Sequence, residues 1–238
     1  MRVLLLAALL FPLAAEAKKP APPVPPSWKC GEEVGDDYGT GFSALSASKW
    51  DEANTAFAAV LAKEPSCGLA LLGQGRALFG AGKGAEAVAP LTAASTAFTD
   101  KPEVFFWLAR AKYAAADDDG ALAAAKAAIA LKPNSPEAQR VAQDALLRKG
   151  DIPGARALLD AAKATSNVVT WFCLEGQLSL AQGDVEAARA RLVECEGVPD
   201  RAVYDQLAAK IAAVPPAPPP PPPAPPPVAA PAAKAPRK

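Results

Sequence analysis

Four cysteines, Cys30, Cys67, Cys173 and Cys195, are the residues of this chain with the most distinctive chemistry. They can form disulfides or hold a metal. Their even number and their grouping into a proximal and a distal pair fit two disulfides, with three connectivities open. A metal centre is not expected, because no CxxC spacing occurs and the chain has no histidine. The lack of histidine also removes the imidazole base, and no serine or carboxylate constellation stands out, so an enzyme is not expected. "GAGKGAE" at 80–86 has the glycines and lysine of a phosphate loop but not the G-x4-G-K-[ST] spacing or a preceding strand, and reads as a turn. "DDDG" at 117–120 crowds carboxylates without the alternation and later glutamate of a calcium loop, and reads as a solvated helix start. No cofactor is expected.

The elements that position these residues are announced by two stretches, "LRKGDIPGARALLDA" at 147–161 and "LAQGDVEAARARLVE" at 180–194, which say nearly the same thing 33 residues apart. Glycine can end a helix in the left-handed conformation, and the following aspartate can cap the next helix by accepting from its free amides. Pro153 fits a first helical turn. Composition agrees: the 238 residues are 51% hydrophobic and rich in alanine, with few aromatic residues, so an all-α body is expected. Lys plus Arg and Asp plus Glu are both 25. That balance gives no field to draw the chain onto nucleic acid.

Residues 1–17 have the layout of a secretory signal: Arg2, an apolar run from Val3 to Ala15, then Ala15-Glu16-Ala17. Cleavage is expected near Ala17. The run is shorter than the roughly 20 residues that cross a bilayer, and none like it follows, so the mature chain is expected to be soluble, without a transmembrane segment, in the periplasm or outside the cell. Two proline-rich segments bracket the body: an N-terminal linker, 18–33, opening with "KKPAPPVPP", and a tail, 215–238, holding 13 of the 26 prolines. Proline lacks the amide proton and fixes φ, so neither can pack a core, and both are expected to be disordered, extended polyproline II. Lys234, Arg237 and Lys238 make the tail basic.

Between them a 34-residue period emerges. Small residues recur at Gly41, Gly75 and Ala109 and at Ala53, Ala87, Ala121 and Ala155, and breakers fall at Pro65, near Pro102, and at Pro133. A fifth register, with Gly176, Gly183 and Ala188, is shifted back by one residue after Asn167. On this pattern, and on "WDEANTAFAAVLAKEP" (50–65) and "WLARAKYAAADDDGALAAAKAAIALKPNS" (107–135), the chain resembles the tetratricopeptide repeat family. Ala125 stands where a large side chain is usual, Asn167 where proline is usual, and Gly39 and Gly73 thin out two first helices.

The resemblance implies an αα-hairpin solenoid, a right-handed superhelix of about five units at 34–67, 68–101, 102–135, 136–168 and 169–199, closed by a capping helix at 200–214. Phe57, Leu91, Ile129, Leu158 and Leu192 are expected to fill the seam between units, and Tyr204, Leu207 and Ile211 to cover its end. Cys30 and Cys67 then flank the first unit, and Cys173 and Cys195 face each other across the last hairpin. The pairing Cys30–Cys67 and Cys173–Cys195 follows.

The resemblance also implies a concave face lined by first helices and a protein partner held in it. By register that lining comprises Tyr38, Phe42, Arg76, Phe79, Phe106, Arg110, Tyr113, Arg140, Asp144, Arg148 and Gln177, with Arg76, Arg110 and Asp144 in a row 34 residues apart. Arginine and aromatic residues commonly anchor interfaces. Phe42, Phe79 and Tyr113 could equally pack between helices. The function expected is a non-enzymatic protein-interaction scaffold of a bacterial cell envelope. The alternative is an envelope spacer, whose proline-rich basic tail contacts peptidoglycan or a membrane surface.

Overall fold

The computed structural model describes residues 30–31, 34–164, 168–198 and 201–215, without the side chains of 168, 169 and 202. The expected signal, most of the N-terminal linker and the tail beyond residue 215 lie outside these residues. Among the described residues there are helices and no strand, divided between two compact units, residues 1–151 and 152–238.

The first unit contains α1 (Gly35–Ser46), α2 (Trp50–Lys63), α3 (Gly68–Gly80), α4 (Val88–Ala97), α5 (Pro102–Ala114), α6 (Asp118–Leu131) and α7 (Pro136–Arg148). Helices α1 and α2, α3 and α4, and α5 and α6 form hairpins. Each second helix also packs on the first helix that follows, and the first helices touch one another in the order α1, α3, α5, α7. One face of this unit is therefore built from first helices alone.

The turns show why the chain folds with this period. Ser48, Gly82, Ala116 and Gly150 all have positive φ, at 57°, 78°, 61° and 74°, and stand 34 residues apart; Gly183, at 83°, follows after 33. At each, the amide of the next residue donates back to a carbonyl five positions earlier: Lys49 to Ala44, Lys83 to Leu78, Asp117 to Lys112, Asp151 to Leu146 and Asp184 to Ser179, all at 2.9–3.0 Å. This closure satisfies helix-end carbonyls that would otherwise lack partners. The side chains of Asp117 and Asp184 then accept from the amides of Gly120 and Ala187 at 2.9 Å, capping α6 and the later α10. The Gly120 amide, aided by Lys112, holds the Asp117 carboxyl below its usual range. Asp118 and Asp119, also from the crowded "DDDG" stretch, pair with Arg148 and Lys149 at the end of α7.

The helix assigned as α4 begins later than α2 or α6 do after their turns. Residues 84–87 form turns instead. Pro90 has no amide to donate to the carbonyl of Glu86, so that stretch lacks a regular helical bond.

The interior follows the period. Ala53, Ala87, Ala121 and Ala155 are fully buried, which lets paired helices approach closely. Phe57, Leu91, Ala125 and Leu159 recur as a second buried set, so Leu159, not the expected Leu158, is the seam residue there. The correction follows from register: 57, 91, 125 and 159 are 34 apart, whereas 158 lies about 100° around the helix. Gly73 also differs from expectation. A Cβ added to it, or to Gly41, would run into the Phe57 ring, so these glycines seat that ring rather than merely weakening their helices.

The second unit contains α8 (Ile152–Lys163), α9 (Val168–Ala181), α10 (Val185–Glu194) and α11 (Arg201–Ala212). Helix α9 packs on α8 and α10, and α11 lies on both α9 and α10. Leu207 of α11 is fully buried, and a Cβ on Gly176 would stand 2.7 Å from it. Disulfides join Cys30 to Cys67 and Cys173 to Cys195, with Cα atoms 4.9 and 5.1 Å apart. Among the described residues no helix is long and apolar enough to cross a membrane.

Candidate functional site

The first-helix face of the first unit carries a pocket of about 360 Å³. Its base is the end of the α1–α2 hairpin: Leu45 from the last turn of α1 and Trp50 from the start of α2. Trp50 lies against Gly80, where a Cβ would come within 2.5 Å of the indole, so the bare backbone at the end of α3 admits the ring. Arg76 and Phe79 come from α3, and Trp107 and Arg110 from α5. Each of these pairs has i, i+3 spacing, which places both members on one face of their helix.

The lining interlocks rings and guanidinium groups. Phe79 and Trp107 meet edge to face with centroids 5.8 Å apart. The Arg110 guanidinium stands 4.3 Å from the centroid of Phe79 and 4.8 Å from that of Trp107, and Arg76 stands 5.3 Å from Trp107. Such contacts hold the cations in place against the rings. Arg76 also pairs with Glu103 at 3.1 Å. No carboxylate lines the pocket. The indole N–H groups of Trp50 and Trp107 donate to no described atom. The pocket thus offers aromatic faces and hydrogen-bond donors together.

Of the residues expected to line a groove, Arg76, Phe79 and Arg110 are brought together here, with Phe106 beside them, its ring 5.4 Å from that of Trp107. Tyr38 packs edge to face on Phe57 at 5.9 Å, and burial raises its hydroxyl pKa. Phe42 is 53% exposed. Farther along the face Arg148 stacks 3.7 Å from the centroid of Tyr113 and donates to the Tyr113 carbonyl at 2.8 Å. Burial, then the charge of Asp144, raises the Tyr113 pKa. Asp144 is 7% exposed and accepts from Arg140 at 3.4 Å, so the acidic member of the expected row is enclosed while Arg76 and Arg110 face the pocket.

Gln177 belongs to the second unit and is buried on α9, with neither its side-chain oxygen nor its nitrogen hydrogen-bonded. The same unit has its own pocket, about 450 Å³, between Lys163, Trp171, Phe172, Arg191 and Glu194. The Trp171 indole donates to the Leu159 carbonyl at 3.2 Å, and Arg191 pairs with Glu175 at 3.1 Å. Both groups are thereby committed within the unit.

Trp50, Trp107 and Leu45 were not singled out by sequence. For Trp107 a signal exists, since "WLAR" sets it three residues from Arg110. Trp50 reaches the site across a hairpin turn from a second helix, and helical periodicity does not reveal that.

Residues 38–102 match the tetratricopeptide repeat family model. No curated protein matches the chain significantly. Solved structures share its fold at low identity. A tetratricopeptide repeat protein from Thermus thermophilus has a TM-score of 0.57 at 18% identity, over 75% of this chain and 99% of that one. MamA has a TM-score of 0.60 at 18% identity, over 75% and 96%. YrrB, described as having an unusual peptide-binding site, has 0.57 at 17%, over 74% and 92%. The match over residues 38–102 and the structures that share the repeated hairpins give this chain a tetratricopeptide repeat fold.

Proposed function

We propose that the chain is an interaction scaffold of a bacterial cell envelope and that it binds a partner segment on the first-helix face of its first unit. The observation that carries this reading is the pocket among Trp50, Arg76, Phe79, Trp107 and Arg110. Its rings and cations are of the types that anchor interfaces, and they are concentrated on the face that the hairpins leave uncovered. A peptide-binding site is reported for YrrB, which shares the fold. The repeat fold itself supports binding of another protein.

Placement outside the cytoplasm, in the periplasm or extracellular space, is supported by the signal-like layout of residues 1–17 and by two disulfides, a bond type that persists in oxidising compartments.

The test is crosslinking capture from native envelope, comparing the parent chain, the double variant Arg76→Glu with Arg110→Glu, and a chain lacking 215–238. The expected outcome is at least a tenfold loss of the captured partner in the double variant and no loss on tail deletion. The reverse pattern would transfer function to the tail.

A further inference from the structure

We infer that the pocket of the second unit is a binding site for a small aromatic monocarboxylate, whose ring lies against Trp171 and Phe172 and whose carboxylate meets Lys163. It shares no residue with the first-unit groove, so it stands or falls apart from the scaffold reading.

Shape is the first argument. The pocket holds about 450 Å³, within the roughly 300–1,000 Å³ of small-molecule sites, and is lined by Lys163, Trp171, Phe172, Arg191 and Glu194. Its walls are the two rings, with centroids 5.4 Å apart and planes at 68°, an edge-to-face arrangement that a third ring can join. The frame is fixed from both sides. The Trp171 indole N–H donates to the Leu159 carbonyl of α8 at 3.2 Å, and the Cys173–Cys195 disulfide ties the residue after Phe172 to the residue after Glu194. Phe172 also packs against the buried cluster of Cys173, Cys195, Val198 and Val203. A pocket held in this way loses little freedom when a ligand enters.

Charge is the second argument. The Arg191 guanidinium pairs with both Glu175 and Glu194, so the acid that lines the pocket is already matched. Lys163, the last residue of α8, is the remaining charge of the lining. Its ammonium stands 5.0 Å from the Trp171 centroid and ion-pairs with no carboxylate among the described residues. Arg191 stands 5.4 Å from the Phe172 centroid, so both rings already carry a cation. A cationic ligand therefore meets like charge, a neutral one leaves Lys163 unanswered, and a monocarboxylate answers it.

The experiment titrates the full chain with hydrocinnamate, with the alcohol made by reducing its carboxylate, and with the amine of the same length. The readout is the Trp171 indole N–H resonance, assigned with Trp171→Phe. Lys163→Gln removes the charge and Lys163→Arg keeps it. Lys163 is exposed at a helix end, and circular dichroism checks that both variants keep their helicity.

We expect hydrocinnamate to bind saturably and about fivefold more tightly than the alcohol, as one exposed ion pair allows, with the amine weakest. The preference for the acid should vanish in Lys163→Gln and persist in Lys163→Arg, while the Trp50 and Trp107 resonances stay still. Equal affinity for acid and alcohol in the parent chain, tighter binding of the amine, or a preference that survives Lys163→Gln would overturn the proposal. So would movement confined to Trp50 and Trp107, since the ligand would then sit in the first unit. None of these variants touches Arg76 or Arg110, so partner capture by the arginine double variant reports on the groove reading alone.

Discussion

Ala116 and Ser48 hold a backbone conformation that Gly82, Gly150 and Gly183 adopt without a clash, with φ near +60° in both. An L-residue there sets its Cβ too close to the following carbonyl oxygen, a cost of about 1–2 kcal/mol that glycine avoids. Part of that difference is offset because glycine gives the unfolded chain more freedom. Ala116→Gly should therefore stabilise the protein by about 0.5 kcal/mol, and Gly150→Ala should destabilise it by about 1 kcal/mol. Urea unfolding followed by circular dichroism checks both signs. If Ala116→Gly proved destabilising, the turn would not be under the strain described. Sequence alone marked Gly150 and Gly183 as helix stops, but it gave no hint that an alanine and a serine fill the same role. Their backbone is forced by the helices on either side, not by local preference.

At the scale of helices, Phe57 shows what holds neighbouring hairpins together. Its ring, carried by α2, is 1% exposed and lies against the bare backbones of Gly41 in α1 and Gly73 in α3. Gly73→Ala places a methyl group inside that ring, and relief requires α2 or α3 to shift. A destabilisation of about 1–3 kcal/mol is expected even though alanine is the better helix former, measurable as a lowered urea midpoint. Stabilisation would mean that the ring moves aside freely. Helix positions and their period were legible in the sequence because small residues and breakers repeat in register. The seam was legible in part: Phe57 and Leu91 are buried as expected, but the register they set selects Ala125 and Leu159 rather than the expected Ile129 and Leu158, which are larger than or identical to the residues chosen. Half of the candidate site was legible for the same reason, since Arg76, Phe79 and Arg110 lie on first helices. Trp50 was not, because its place depends on how a turn returns the chain and on the room that Gly80 leaves.

For the chain as a whole, the covalent framework is set by two sulfur bridges, with sequence separations of 37 and 22 residues. Cys173 and Cys195 are buried beneath Val198 and Val203. Replacing both by alanine removes a loop constraint and should lower stability by about 3 kcal/mol. Thermal unfolding with and without reductant checks this, and reductant should leave the double variant's second unit unaffected. An alkylating reagent should label no cysteine in the unreduced chain. The bridges also set how the chain carries a mechanical load. Tension applied at the two ends passes from Cys30 to Cys67 and from Cys173 to Cys195 through sulfur, so the loops that contain α1 and α2, and most of α9 and α10, cannot lengthen under force. Reduction would release that hidden length, on the order of 200 Å of contour at about 3.5 Å per residue, adding a redox-controlled reserve to the length that the unbridged residues 68–172 can yield.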